Sequence, residues 1–317
     1  MSVPEEIPVV AIVGPTGVGK TATAVALAGD WPLEAVSVDS RQVYRRMDIG
    51  TGKPTAAERA RLPHHLLDVA EPDEPYDAAR FARDAAAAIA GIHARGRRPV
   101  LVGGTGLYLR ALLHGLSPLP PADLALRRRL RTEAAARGPA VLHTRLAELD
   151  PATAARLHPR DLIRVTRALE IVQLTGRPVS TLRGARRRVV TTPYRVITVG
   201  ITMTREALYA RLDTRVDRML TEGLLDEVEG LLTAGFAPEL PAMQGIGYRH
   251  MVPVLRHRAP LAEAVRAMKR DTRRYAKRQW TWFGREDVTR WVALDSEDPA
   301  SAVAAVKKIV ETAGIFG

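Results

Sequence analysis

Between residues 14 and 21 stand Gly14, Pro15, Thr16, Gly17, Val18, Gly19, Lys20 and Thr21, directly after the apolar run VVAIV. This is the G-x-x-x-x-G-K-[ST] spacing of a phosphate loop, in the strand-then-helix context that such a loop requires. The glycines let successive backbone N–H groups converge on phosphate oxygens, and the N-terminus of the following helix adds partial positive charge. Lys20 supplies a full charge, and the Thr21 hydroxyl can ligate a Mg2+ ion that bridges the phosphates. A nucleotide, a coenzyme or another diphosphate would fit the same cradle.

The companions of the loop narrow that choice. A nucleoside-triphosphate hydrolase carries an apolar strand ending in aspartate to hold its metal. The best candidate strand here, PVLVGG (99–104), ends instead in Gly103, Gly104 and Thr105, a close-approach turn followed by a hydroxyl donor. That ending points away from a motor or switch ATPase, although an ATP-dependent small-molecule kinase using the same loop remains a rival. Asp39, at the end of EAVSVDS (34–40), is the carboxylate best placed at a strand end. It either caps a turn or accepts a proton from an incoming nucleophile. Ser40, Gln42 and Tyr44 beside it offer the hydrogen-bonding and stacking groups that a nucleobase needs.

These residues need a scaffold, and the periodicities supply one. Ile7–Val13, 34–40, 99–104, Tyr194–Ile201 and 288–294 read as strands, with a weaker one at 64–69. Thr21–Ala28 and Asp77–Arg95 read as helices between them. Strand–helix alternation argues for an α/β fold, a P-loop NTPase-like parallel sheet core with helices on both faces. Ligands then bind beyond the carboxyl ends of the strands, where the loop, Asp39 and Thr105 emerge. A proline-rich break at 116–123 precedes an arginine-rich, helical-only stretch and a basic turn, RGARRR (183–188). The layout expected is a catalytic core of 1–116 and 193–317 interrupted by an all-α insertion domain at 117–192.

The 317 residues are 46% hydrophobic, enough for a sizeable core, and 47 basic against 35 acidic residues leave a formal charge of +12. Such a surplus favours a polyanionic partner. The absence of cysteine excludes disulfides and thiolate metal sites. The opening MSVPEEIPVV lacks the basic and apolar regions of a signal peptide, and no run nears the roughly 18 apolar residues of a membrane span. The expectation is a cytoplasmic monomer without membrane association.

Taken in order, GPTGVGKT (14–21), SVDSRQVYRRMDIGTGKP (37–54), PHHLLDV (63–69), LVGGTGLY (101–108), GLSPLP (115–120), HPRDLIRVTRALE (158–170), QGIGYR (244–249) and AKRQWTWF (276–283) resemble the bacterial tRNA dimethylallyltransferases, also called tRNA isopentenyltransferases or the IPP transferase family. The similarity runs over nearly the whole chain. It implies transfer of a dimethylallyl group from dimethylallyl diphosphate to N6 of the adenosine at tRNA position 37, just 3′ of the anticodon. The loop residues Gly14 to Thr21 would then hold an isoprenoid diphosphate, with Mg2+ on Thr21. Asp39 matches the catalytic aspartate that takes the N6 proton, Thr105 the threonine near the bridging oxygen, and Lys20 and Arg215 the cations on the diphosphate. Spacing alone does not separate Arg215 from Arg211 or Arg218, so that choice rests on the resemblance.

The resemblance also implies that an extruded adenine is read by Asp39, Ser40, Arg41 and Gln42, together with Thr105. Arg127, Arg164 and Arg167 of the insertion, and Gln244, Gly245, Gly247, Tyr248 and Arg249, would meet the anticodon stem-loop. On a helix at 260–283, Leu261, Ala264, Val265, Met268, Tyr275, Gln279 and Trp282 fall on one face. Arg266, Arg270, Arg273 and Lys277 line the opposite side without interleaved acid, which makes Arg273 and Lys277 candidates for RNA contact. Trp280 and Trp282 read as core anchors rather than stacking platforms. The histidines lack metal-ligand spacing, so no zinc site is expected. Two positions depart from the family pattern: Val18 stands where many relatives carry serine, and Ile163 replaces a polar residue often seen in the insertion.

Overall fold

In β1 (Ile7–Val13), Val9, Ala11 and Val13 join one apolar cluster while Val10 and Ile12 join another. A strand buried on both faces belongs inside a sheet covered on both sides. A computed structural model, describing residues 6–117, 119–184, 192–294 and 299–316, has that arrangement. Its sheet contains β1, β2 (Leu33–Val38), β3 (His64–His65), β4 (Arg98–Gly103), β5 (Tyr194–Met203) and β6 (Arg290–Leu294), in the order β3-β2-β4-β1-β5-β6. Every pairing is parallel, with Val13 opposite Gly103 and Gly200, and Val38 opposite Gly103. The carboxyl ends of β1, β2 and β4 therefore lie level, and the phosphate loop, Asp39 and Thr105 leave from one edge.

The chain divides into two compact units, 1–113 with 192–317, and 114–191. In the first, α1 (Lys20–Leu27) follows the phosphate loop, α2 (Ala56–Arg61) leads into β3, and α3 (Ala78–Ala94) and α4 (Gly106–His114) flank β4. In the second, α5 (Leu124–Arg137), α6 (Ala140–Leu149), α7 (Pro151–Ala154), α8 (Leu162–Thr175) and α9 (Val179–Gly184) pack around Leu142, Leu146, Val165 and Leu169. The first unit resumes with β5, followed by α10 (Arg205–Thr221), α11 (Leu224–Thr233), α12 (Tyr248–Leu255), α13 (Leu261–Phe283), β6 and α14 (Pro299–Thr312). Residues of α3, α4, α11 and α12 cover one face of the sheet, and those of α1 and α14 the other.

Two expectations need correction here. The strand read at 64–69 stops at His65, because Leu66 and Asp68 take left-handed backbone angles, with φ of 63° and 56°, that end the extended run. The face read on the 260–283 helix is also shifted. Leu261 is exposed, whereas Ala276 and Phe283 are buried beside Ala264, Met268 and Gln279. The basic turn read at 183–188 opens within α9 and, from residue 185, lies outside the described residues.

Candidate active site

The phosphate loop is built by close approach. Gly14 has φ of 144°, and a Cβ there would sit 2.3 Å from the Ile201 carbonyl oxygen of β5, so only glycine fits. The loop closes on Gly19, which heads α1 with no side-chain cap and no acidic residue in the first turn. The first N–H groups of the helix are thus left for an anion. Lys20 folds back so that its ammonium donates to the Pro15 carbonyl oxygen at 2.8 Å. Burial pulls its pKa down to about 8; Asp39 works against that shift and Arg215 adds to it. Both groups therefore lie within Coulombic reach of the lysine.

Beyond the ends of β2 and β4 the chain forms a second polar centre. The Thr105 N–H donates to the Val38 carbonyl at 3.1 Å, and the Thr105 hydroxyl accepts from the Ser40 N–H at 3.1 Å. Asp39 Oδ1 accepts from the N–H groups of Arg41 at 2.8 Å and Gln42 at 3.4 Å. Asp39 caps its turn with one oxygen only. Oδ2 has no protein donor among the described residues, so the capping role leaves an oxygen free for proton transfer.

A cavity of about 220 Å³ in the first unit is lined by Thr16, Asp39, Ser40, Arg41, Arg215 and Arg278, and on its apolar side by Val216, Met219 and Met268. Of the three arginines that spacing leaves open, Arg215 alone lines this cavity. Arg218 pairs with Glu222 at 3.3 Å, and Arg211 is not among the lining residues. Arg215 lies against the backbone of Gly52, where a Cβ would come 1.7 Å from its Nη2. Burial depresses its pKa, with Arg218 acting in the same sense and Asp39 opposing. Among the described residues no His, Cys, Asp or Glu cluster could hold a metal. A Mg2+ ion would depend on Thr21 and on oxygens of the ligand and water, its ordinary coordination in phosphate sites.

The remaining candidates separate into cavity, framework and surface. Gln244, Gly245, Tyr248 and Arg249 line the cavity, and Gly247, with φ of 95°, turns the chain between them. Tyr248 is 1% exposed and donates from its hydroxyl to Glu227 at 2.6 Å, which makes it part of the cavity wall. Gln42 is spent on the framework: its oxygen accepts from the Ser37 hydroxyl, and its amide donates to the Thr51 and Gly52 carbonyls. Tyr44 is a core residue at 4% exposure. In the second unit, Arg127 and Arg167 turn inward to pair with Glu170, which is 0% exposed, while Arg164 stays exposed beside Asp161. Ile163 is 77% exposed. The stripe on α13 is not free of acid: Arg273 binds Asp213 of α10 at 2.6 Å, and Arg270 pairs with Asp271. Lys277 is exposed.

Three residues of the site escape sequence reasoning. Gln279 accepts from the Thr16 N–H at 2.8 Å and donates to the Gly104 carbonyl at 2.9 Å. Tyr275, lifted to about 12 by burial and by Asp39, lies near Thr105. Arg278 reaches the cavity with its guanidinium 5.6 Å from the Tyr275 ring centroid. The available signal was a glutamine on the apolar face of an amphipathic helix.

Known proteins resemble this chain in sequence and in fold. Residues 42–286 match the family model described as IPP transferase, and residues 7–71 match one described as isopentenyl transferase. The chain is 52% identical over 289 residues to tRNA dimethylallyltransferase 1 of Syntrophotalea carbinolica, covering 91% of each protein. It is 46% identical over 298 residues to the tRNA dimethylallyltransferase of Geobacter sulfurreducens, covering 94% of this chain and 96% of the relative. Among solved structures it resembles the tRNA isopentenylpyrophosphate transferase of Bacillus halodurans, with a TM-score of 0.71, 40% identity and coverage of 97% and 96%. It also resembles a eukaryotic dimethylallyltransferase acting on tRNA, with a TM-score of 0.75, 31% identity and coverage of 97% and 79%. The parallel sheet, its phosphate loop and these matches together establish that the chain belongs to the IPP transferase family.

Proposed function

We propose that this protein transfers the dimethylallyl group of dimethylallyl diphosphate to N6 of the adenosine 3′ of the anticodon in tRNA. The observation that carries this reading is one cavity in which Asp39 and Arg215 meet Thr16 of the phosphate loop, with Lys20 in reach of both. An exocyclic adenine amine is a weak nucleophile, because its lone pair is delocalised into the ring. Its reaction partner must therefore be a carbon close to an allylic cation, and the leaving group must be strongly stabilised. As the C1–O bond breaks and the C1–N6 bond forms, the electron pair departs with the diphosphate. Lys20, Arg215 and the loop N–H groups compensate that charge, and Mg2+ on Thr21 would add to it when bound. The N6 proton passes to Asp39. Met219, Met268 and Val216 offer the prenyl chain an apolar wall.

The target base must leave its stack to reach such a site. For the surrounding loop we propose contact with the helical unit, where Arg128, Arg129 and Arg131 of α5 and Arg164 of α8 are exposed. The rival use of the loop, ATP-dependent phosphorylation of a small molecule, is disfavoured by the Gly104-Thr105 ending of β4 and by the relatives' names. Incubation with labelled dimethylallyl diphosphate and unmodified tRNA, beside an ATP-turnover assay, tests the proposal. Label is expected in tRNA with no ATP consumed. Asp39→Asn is expected to lower transfer by about 100-fold or more while tRNA affinity stays within about twofold. ATP turnover without prenyl transfer refutes the reading.

A further inference from the structure

We infer that Gln279 is a positioning residue that sets the distance between the phosphate loop and the Thr105 turn, and so between the two groups that grip the leaving diphosphate. This inference rests on the function proposed above. Gln279 is 5% exposed and uses both ends of its amide: Oε1 takes the Thr16 N–H and Nε2 gives to the Gly104 carbonyl. A backbone N–H can only donate and a carbonyl can only accept, so the two partners fix which end of the amide faces which strand end. The contact leaves no slack, since a Cβ on Gly104 would lie 2.2 Å from Nε2.

The neighbours of Gln279 on α13 act on the same turn. Tyr275, four residues before, lies close enough to Thr105 to feel its hydroxyl, and Trp282, three residues after, lies where a Cβ on Gly106 would come 2.0 Å from its Nε1. One helical ridge thus lies along residues 104 to 106, and its central member, Gln279, also holds the phosphate loop. Gln279 does not line the cavity itself. Its effect must therefore pass through the placement of Thr16, Gly104 and Thr105, and an error of an ångström in such placement costs about 100-fold in rate.

Gln279→Met keeps the bulk of the side chain and removes both hydrogen bonds. In this variant kcat is expected to fall about 10- to 100-fold, with the KM for dimethylallyl diphosphate and the tRNA Kd within about threefold and the folded fraction unchanged. Gln279→Glu supplies the control that a merely structural role would not satisfy. Its carboxylate still accepts from Thr16 but repels the Gly104 carbonyl, and once protonated it donates to that carbonyl again. Its kcat relative to the parent is therefore expected to recover as pH falls, with circular dichroism confirming folded protein at each pH. Folded Gln279→Met with kcat within twofold of the parent overturns the inference, as does a loss confined to KM or tRNA affinity, or a Gln279→Glu deficit independent of pH. If the unsubstituted protein transfers no prenyl group to tRNA, the functional reading fails instead.

Discussion

Raising the pH from 7 to 9 tests the electrostatics of the site through one group. Lys20 titrates at about 8, drawn down by burial and by Arg215 against the pull of Asp39. If a diphosphate binds the ammonium form, affinity follows the protonated fraction and falls about tenfold between pH 7 and pH 9. Nothing else at the site should imitate this. No histidine lines the cavity, Arg215 keeps its proton throughout, and a phosphate's last ionisation, near pH 6, is complete below the window. The sign for the unliganded protein is opposite. A lysine with a lowered folded pKa costs stability while it is charged, and that cost is relieved as pH rises from about 8 towards the unfolded value near 10.4. The melting temperature shift caused by dimethylallyl diphosphate should therefore shrink with pH, while Lys20's own penalty on the free protein also shrinks. Calorimetric titration of dimethylallyl diphosphate at fixed ionic strength, with Lys20→Met in parallel, reads both effects. Affinity flat within twofold across the window, or a decline that persists in Lys20→Met, refutes the reasoning.

Arg215→Gln should lower kcat/KM by about 100-fold or more, through loss of charge compensation in a desolvated site, whereas Arg218→Gln should stay within about threefold; comparable losses in both would remove Arg215's distinction. Glu227 collects the N–H groups of Asp48, Ile49 and Gly50 and the Tyr248 hydroxyl. Glu227→Leu should lower unfolding free energy by about 1–3 kcal/mol, because the buried Tyr248 hydroxyl and the half-buried Ile49 and Gly50 N–H groups lose a charged acceptor, as measured by urea denaturation. In the helical unit, burial alone would raise Glu170, but hydrogen bonds from Arg127 and Arg167 outweigh it and hold its carboxyl below the usual range. Its contribution to stability is complete above about pH 4.3 and lost as pH falls through the lower folded value, so ellipticity should show acid unfolding that starts at higher pH in Arg127→Met/Arg167→Met. Lys277→Ala should weaken tRNA binding evenly across sequences and reduce the salt slope by about one; Arg273→Ala, which breaks the pair with Asp213, should leave a smaller change in that slope.

What was legible in the sequence was local. The phosphate loop announces itself because its spacing is a backbone requirement, and Val9 to Val13 read as a doubly buried strand from five adjacent apolar residues. Asp39 and Thr105 could be placed at strand ends for the same reason. What could not be read was anything decided by a distant partner. Arg127 and Arg128 look alike along α5, yet Glu170, 43 residues beyond Arg127, draws it inward while Arg128 stays exposed. Gln42 suits a base until Ser37, Thr51 and Gly52 are seen to consume its amide. The acid that meets Arg273 comes from α10, where Asp213 lies 60 residues away in sequence. The bond from Thr16 to Gln279 spans 263 residues, and nothing in either segment specifies the other.

The charges at the cavity explain why an anion belongs there. Desolvation outweighs the attraction of Asp39 at Lys20, and at Arg215 as well, so one carboxylate leaves both cations under-compensated. Burial is the largest influence on both groups, and each still turns part of its surface to solvent, where a ligand can reach it. On the proposed function, a diphosphate would supply the missing negative charge and meet a Lys20 ammonium that the loop already holds in place. The protein has therefore borne the reorganisation cost during folding, before any substrate arrives. A leaving group gains most from such a site when its charge is greatest, after the C–O bond has broken, and that difference between ground and transition state is what accelerates the reaction.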